Sequence, residues 1–256
     1  MFPIRDDNPH FLTPWTTWAI VAANALAWAL VQGFGGEPAL VRSVCTHGLI
    51  PAELLQTATA GARFALGPDA TCVIADSAHP STLLTHMFLH GGWMHIAGNL
   101  WFLWIFGNNV EDSMGHLRFG VFYLSCGLAA AAAQILSNPA SGIPMVGASG
   151  AIGGVMGAYL MLYPRVHVHI LIWLGFSVTT VPVAALWMLA YWFVIQLVGG
   201  VGSLGAETGG IAFWAHVGGF VAGALLVFPF RNEELVARHP IHGWRSEHER
   251  DLPREA

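Results

Sequence analysis

The run from Ser149 to Tyr163 limits the fold more than any other part of this chain. It is apolar, and as a helix it extends only roughly 22 Å. A bilayer's hydrocarbon core is roughly 30 Å thick. A helix that short cannot touch both membrane surfaces, so one end must begin below the surface. The preceding residues, Ser137 to Val146, carry two prolines, a glycine, two serines and an asparagine and read as a loop. Irregular backbone at membrane depth is tolerated only where it is buried in protein or lines a water-filled cavity. The tetrapeptide Gly147-Ala148-Ser149-Gly150 therefore puts a serine at a submerged helix start, facing a wet cavity.

A membrane setting follows from the composition. The 256 residues are 55% hydrophobic and only 10% charged, against about 25% charged in ordinary globular chains. Lysine is absent, and a net charge of −5 gives no footprint for nucleic acid. The expected surroundings are the lipid bilayer. The first apolar stretch is too long for a signal-peptide core and lacks a cleavage site, so it reads as a retained span.

Six spans are expected, at about 15–34, 86–107, 117–136, 149–164, 183–200 and 211–230. The fold class is then an all-α membrane protein, a six-helix bundle with a long first external loop. It divides into a short cytoplasmic N-terminus (1–14), the membrane domain (15–230) and a polar cytoplasmic tail (231–256). The apolar stretch Val166 to Val181 is too short to cross alone and reads as interfacial, ended by Pro182. Arginine placement sets the orientation. Arg5, Arg118, Arg165, Arg231, Arg238, Arg245, Arg250 and Arg254 share one side, and only Arg42 and Arg63 lie on the other. Both termini are expected in the cytoplasm, in the inner membrane of a bacterium. Cys45 and Cys72 fall outside, where a disulfide is allowed but not dictated. Cys126, within a span, reads as buried and inert.

With this topology, spans two, four and six run from outside to inside, each with polar residues in its first turns. These are His95 and Asn99, then Ser149, then His216. Intramembrane polar residues are expensive and are functional candidates by default. Ser149 needs a base to act as a nucleophile, and His216 is the candidate. Gly153 and Gly157 share the face of Ser149, and Gly219 and Gly223 share the face of His216. Such stripes allow close approach of membrane helices. His95 and Asn99, at i and i+4, offer donors to an oxyanion beside the helix N-terminus. Spans two to six, so bounded, hold no carboxylate, the nearest being Glu207 in the loop before span six, so the expectation is a Ser–His dyad without a third acidic member. His86 and His90 are spaced for a metal, but no His-Glu-x-x-His pattern is present. Neither metal nor cofactor is expected, and His90 reads as support for the site.

These residues carry a family resemblance. His90-Gly91-Gly92-Trp93-Met94-His95 with Asn99, then Gly147-Ala148-Ser149-Gly150, then Ala215-His216 with Gly219 and Gly223, resemble the rhomboid intramembrane serine proteases. The resemblance covers about 80–230 and looks like the six-span core form. It implies cleavage of single-span transmembrane protein substrates within or beside their membrane segment. It implies Ser149 as nucleophile, His216 as base, His95 and Asn99 at the oxyanion, and span five as a lateral gate. Two other readings compete. A catalytically silent rhomboid-fold protein that binds membrane helices has no need of both Ser149 and His216. A transporter or channel calls for polar residues through the full membrane thickness, and here they stop in the outer half.

Overall fold

The computed structural model describes residues 2–67, 70–173, 175, 177–203 and 211–241. The chain opens with a strand, β1 (Phe2–Asp6), and a helix, α1 (Trp15–Leu26), that continues through a π-helical turn to Val31. Residues 36–92 form small elements: helices α2 (Ala39–His47), α3 (Pro51–Leu54) and α4 (Thr82–Thr85), and strands β2 (Arg63–Ala65) and β3 (Thr71–Val73). The larger helices follow: α5 (Trp93–Met114), α6 (His116–Ser137) and α7 (Ser149–Leu162). After α7 come strands β4 (His167–Trp173) and β5 (Val178–Ala184), then α8 (Ala185–Gly202), α9 (Phe213–Phe230) and the short α10 (Glu233–Arg238).

Among the described residues, three helices are long and apolar enough to cross a membrane: α6, α8 and α9. The stretches Trp15–Val31 and Ser149–Leu162 are shorter apolar helices. α7 is the hub. Every residue from Gly150 to Tyr159 is buried, and it packs against α5, α6 and α9. Glycine makes this packing possible. A Cβ on Gly219 would collide with the Gly150 carbonyl, and one on Gly223 with the Gly154 carbonyl. A Cβ on Gly153 would sit 3.1 Å from the His216 carbonyl oxygen, and one on Gly157 would strike that of Phe220. The two stripes do face each other, but α7 brings four glycines to the crossing, and its partners for Gly219 and Gly223 are Gly150 and Gly154.

Three sequence expectations need correcting. The second span, expected at 86–107, is a helix from Trp93 to Met114, and residues 86–92 are a 3-10 turn and loop. The supposed loop at 108–116 is therefore mostly helix, broken only at Gly115 (φ 78°). This puts Glu111 and Asp112 inside α5, both fully buried, where no carboxylate was expected. They are stable there because they accept the free backbone donors of the N-terminal segment. Glu111 takes the Thr16 and Thr17 N–H groups (2.9 and 2.8 Å), the Thr17 hydroxyl (2.7 Å) and the His116 Nδ1 (2.6 Å). Asp112 takes the N–H groups of Phe11 and Leu12 (2.7 and 2.9 Å). The first N–H groups of a helix lack internal partners and favour an anion, so Glu111 caps α1.

The apolar stretch 166–181 is a β-hairpin. β4 pairs with β5 and, on its other edge, with β1, giving the order β1-β4-β5, all antiparallel. Val168 and Ile170 point into the core while His167, Leu171 and Trp173 face out, the period-two pattern of a half-buried strand. Pro182 lies within β5, at a sheet edge where its missing N–H costs no ladder bond, and α8 begins only at Ala185. The fold is thus mostly helical with two small sheets. Cys45 on α2 and Cys72 on β3 form a disulfide, their Cα atoms 5.3 Å apart, and Cys126 is free and buried.

Candidate active site

Ser149 is the first residue of α7, preceded by Ala148 at the N-cap, and no side chain caps the helix. The turn into it depends on Gly147, whose φ of 128° disfavours any side chain. The Gly147 N–H donates to the His86 carbonyl (2.9 Å). The Ser149 side chain is thereby released from a capping role. Its Oγ lies 2.7 Å from Nε2 of His216, one turn into α9. The α7–α9 crossing sets that distance, since the glycines bring the two backbones into contact directly below the pair.

His95 and Asn99 stand on one face of α5 and converge on the same place. The Gly91 N–H donates to His95 Nδ1 (3.2 Å), which leaves Nε2 of the neutral ring as the proton-bearing nitrogen. A Cβ built on Gly147 would lie 2.7 Å from His95 Nε2 and 3.5 Å from Asn99 Nδ2. Two donors therefore meet beside the serine turn. Asn99 is 7% exposed, and its Nδ2 is buried with no hydrogen-bond partner among the described residues. Such a group costs free energy unless something occupies it. Ser149, His216, His95, Asn99, Trp192 and Gln134 all line one cavity of about 1070 Å³. All four residues singled out from the sequence are brought together.

Some supporting residues had no signal in the sequence. Gln196 on α8, also 7% exposed, places Oε1 2.7 Å from His216 Nδ1, and the Trp192 ring lies 5.8 Å from the imidazole. Gln32, just past the π-helical turn, exchanges two 2.8 Å bonds with the His90 backbone, donating to its carbonyl and accepting its N–H. This clamp fixes the loop whose next residue, Gly91, orients His95. The His90 ring is fully buried, 5.1 Å from the His95 ring, so it backs His95. His86 donates from Nδ1 to the Thr82 carbonyl (2.8 Å). Glu111, the first carboxylate of α5, is twelve residues (111 − 99) beyond Asn99, about 18 Å along the helix. It does not reach the site. Glu207 lies outside the described residues.

The family model described as Rhomboid domain matches residues 77–233, more than half of the chain. The chain belongs to the rhomboid family. The rhomboid match begins after Trp15–Val31 and includes all four candidate residues. Its relatives include the Rhomboid protease GluP of Bacillus subtilis (strain 168), 34% identical over 142 residues, which is 56% of this chain and 27% of that protein. RHOMBOID-like protein 5 of Arabidopsis thaliana is 27% identical over 169 residues, 60% of this chain and 54% of that protein. Rhomboid protein 1, mitochondrial, of Saccharomyces cerevisiae is 28% identical over 148 residues, 56% of this chain and 40% of that protein. The chain thus matches about a quarter to a half of the length of these relatives. Rhomboid proteins are generally intramembrane serine proteases. The rhomboid domain and the apolar helices make this chain an integral membrane protein.

Proposed function

We propose that this chain is a serine endopeptidase that cleaves single-span membrane proteins within or next to their transmembrane segment. Ser149 is the nucleophile and His216 the general base. The observation that carries this reading is the 2.7 Å approach of Ser149 Oγ to His216 Nε2, at a cavity also lined by the unpartnered Asn99 Nδ2. As Oγ attacks a carbonyl carbon, His216 takes its proton. The carbonyl oxygen gathers negative charge and is met by Asn99 Nδ2, His95 Nε2–H and the uncapped N–H groups at the start of α7. His216 then returns its proton to the leaving amine. The work is done by a Ser–His pair without a carboxylate, metal or cofactor. We place the chain in a bacterial inner membrane with six spans and both termini in the cytoplasm, which agrees with the arginine distribution and with a disulfide on the external segment.

The test is a fluorophosphonate probe on the detergent-solubilised chain, with cleavage of a single-span substrate in proteoliposomes. Labelling at Ser149 and cleavage are both expected, and both should vanish in Ser149→Ala while thermal stability is unchanged. A chain that binds transmembrane helices but neither labels nor cleaves is the catalytically silent binding protein instead.

A further inference from the structure

We propose that Gln196 is the positioning residue of this site, fixing both the tautomer and the tilt of His216; this rests on the peptidase reading of Ser149 and His216. A glutamine amide has one accepting end and one donating end. The Gln196 Nε2 lies 3.4 Å from the carbonyl of Trp192, one turn earlier on α8, and donates to it. That leaves Oε1 facing His216 Nδ1 at 2.7 Å. The opposite flip differs in two ways. It sets Oε1 against the Trp192 carbonyl, acceptor against acceptor. It also makes Nδ1 an acceptor, so that the neutral ring carries its proton on Nε2, pointing at the serine hydroxyl. Only the first arrangement leaves no acceptor facing an acceptor, and amide orientation is assigned on that basis.

The chemical consequence is specific. With Nδ1–H donated to Gln196, the lone pair on Nε2 faces Ser149 Oγ at 2.7 Å. When Oγ bonds to the substrate carbonyl carbon, the C=O π pair moves onto oxygen and the hydroxyl proton passes to Nε2. The imidazolium keeps its Nδ1–H on Gln196. As the C–N bond breaks, the Nε2 proton leaves with the amine. Gln196 neither gains nor loses a proton. A neutral amide suits this depth, because a carboxylate there carries a much larger burial cost. It supplies the orienting half of what an acidic third member does, without the charge. The Trp192 ring, also on α8, packs beside the imidazole with a 38° tilt and its centroid 5.8 Å away.

The full chain, labelled with ¹⁵N-histidine in detergent, tests this through the His216 resonances, assigned by their loss in His216→Ala. The wild type should show the Nδ1–H tautomer. Gln196→Met has a similar length and no acceptor. It should give mixed tautomers and lower kcat on the order of 10- to 100-fold, with KM unchanged. Gln196→Glu keeps an oxygen at the same reach and should restore the Nδ1–H tautomer. Wild-type tautomer and kcat in Gln196→Met overturn the proposal. So does an Nε2–H tautomer in the wild type, which decides the matter even if Gln196→Met fails to fold. The tautomer is read without turnover. A Gln196-dependent Nδ1–H in a chain that lacks Ser149-dependent cleavage therefore supports the contact and removes the peptidase reading.

Discussion

At the scale of single residues, the site contrasts groups that are already satisfied with one that is not. His95 has its Nδ1 occupied by Gly91, whereas Asn99 Nδ2 is buried without a partner among the described residues. Asn99→Ala removes a donor that a developing oxyanion would use, and should lower kcat by roughly 10²–10³-fold. It should leave folding intact or slightly improved, because an unpaired buried donor disappears. Steady-state kinetics beside a thermal melt check both halves; an unaffected kcat removes Asn99 from the oxyanion. The sequence showed the four site residues because three sit in short glycine-rich patterns and all four fall at one depth of the expected spans. It did not show Gln196 or Gln32. A lone amide in an apolar run makes no pattern, and the partners of these two lie 20 and 58 residues away. Only the folded arrangement joins them.

Among the elements, the α7–α9 crossing decides whether Ser149 and His216 meet. Gly219 rests on the Gly150 carbonyl with no room for a side chain. Gly219→Leu should destabilise the chain by at least the 1–3 kcal/mol typical of overpacking (an approximate range), since the obstacle is rigid backbone, and should abolish cleavage. Thermal unfolding in detergent together with probe labelling measures both. A variant as stable and as active as the wild type shows that the helices can separate without cost. The glycine stripes were legible because helical spacing is fixed, although the actual pairing included Gly150 and Gly154, which the stripe count left out. Two elements were not legible. The end of α5 reads as a loop, Asn108-Asn109-Val110-Glu111-Asp112, because its polar groups satisfy a distant segment. The β4–β5 hairpin reads as an apolar run because periodicity alone does not separate a half-buried strand from an interfacial segment.

Taken as a whole, the molecule ties its N-terminal segment into the bundle at several points. Trp101 Nε1 donates to the Pro3 carbonyl (2.6 Å), and the Tyr159 hydroxyl donates to Asp6 (2.5 Å). Burial pushes the Asp6 carboxyl up to about 6, against the lowering effect of the Tyr159 bond, and neighbouring Asp7 adds to the rise. A carboxyl raised on folding contributes stability that is complete below its unfolded value, about 3.9, and is lost as pH rises through the folded value near 6. Asp6→Asn removes the charge that forms above that value. Relative to wild type, it should therefore be more stable at pH 7.5 than at pH 4.5. Paired thermal melts at the two pH values test this, and a gap that does not change with pH refutes it. From the sequence, residue 6 falls in the short N-terminus ahead of the first span, and nothing there points to a tyrosine on α7.

The strand β1 has one more consequence, and it concerns synthesis. Asp6 and Tyr159 are 153 residues apart, and β4, the strand that β1 joins, comes later still. At roughly 5–20 residues per second on a ribosome, the β1 segment waits on the order of ten to thirty seconds for its partner to exist. Helix α1 waits likewise for its cap, Glu111. The N-terminal segment is made early and secured late. Closing β1 onto β4 thus cannot precede synthesis of the serine helix α7, which lies between the two strands in the chain.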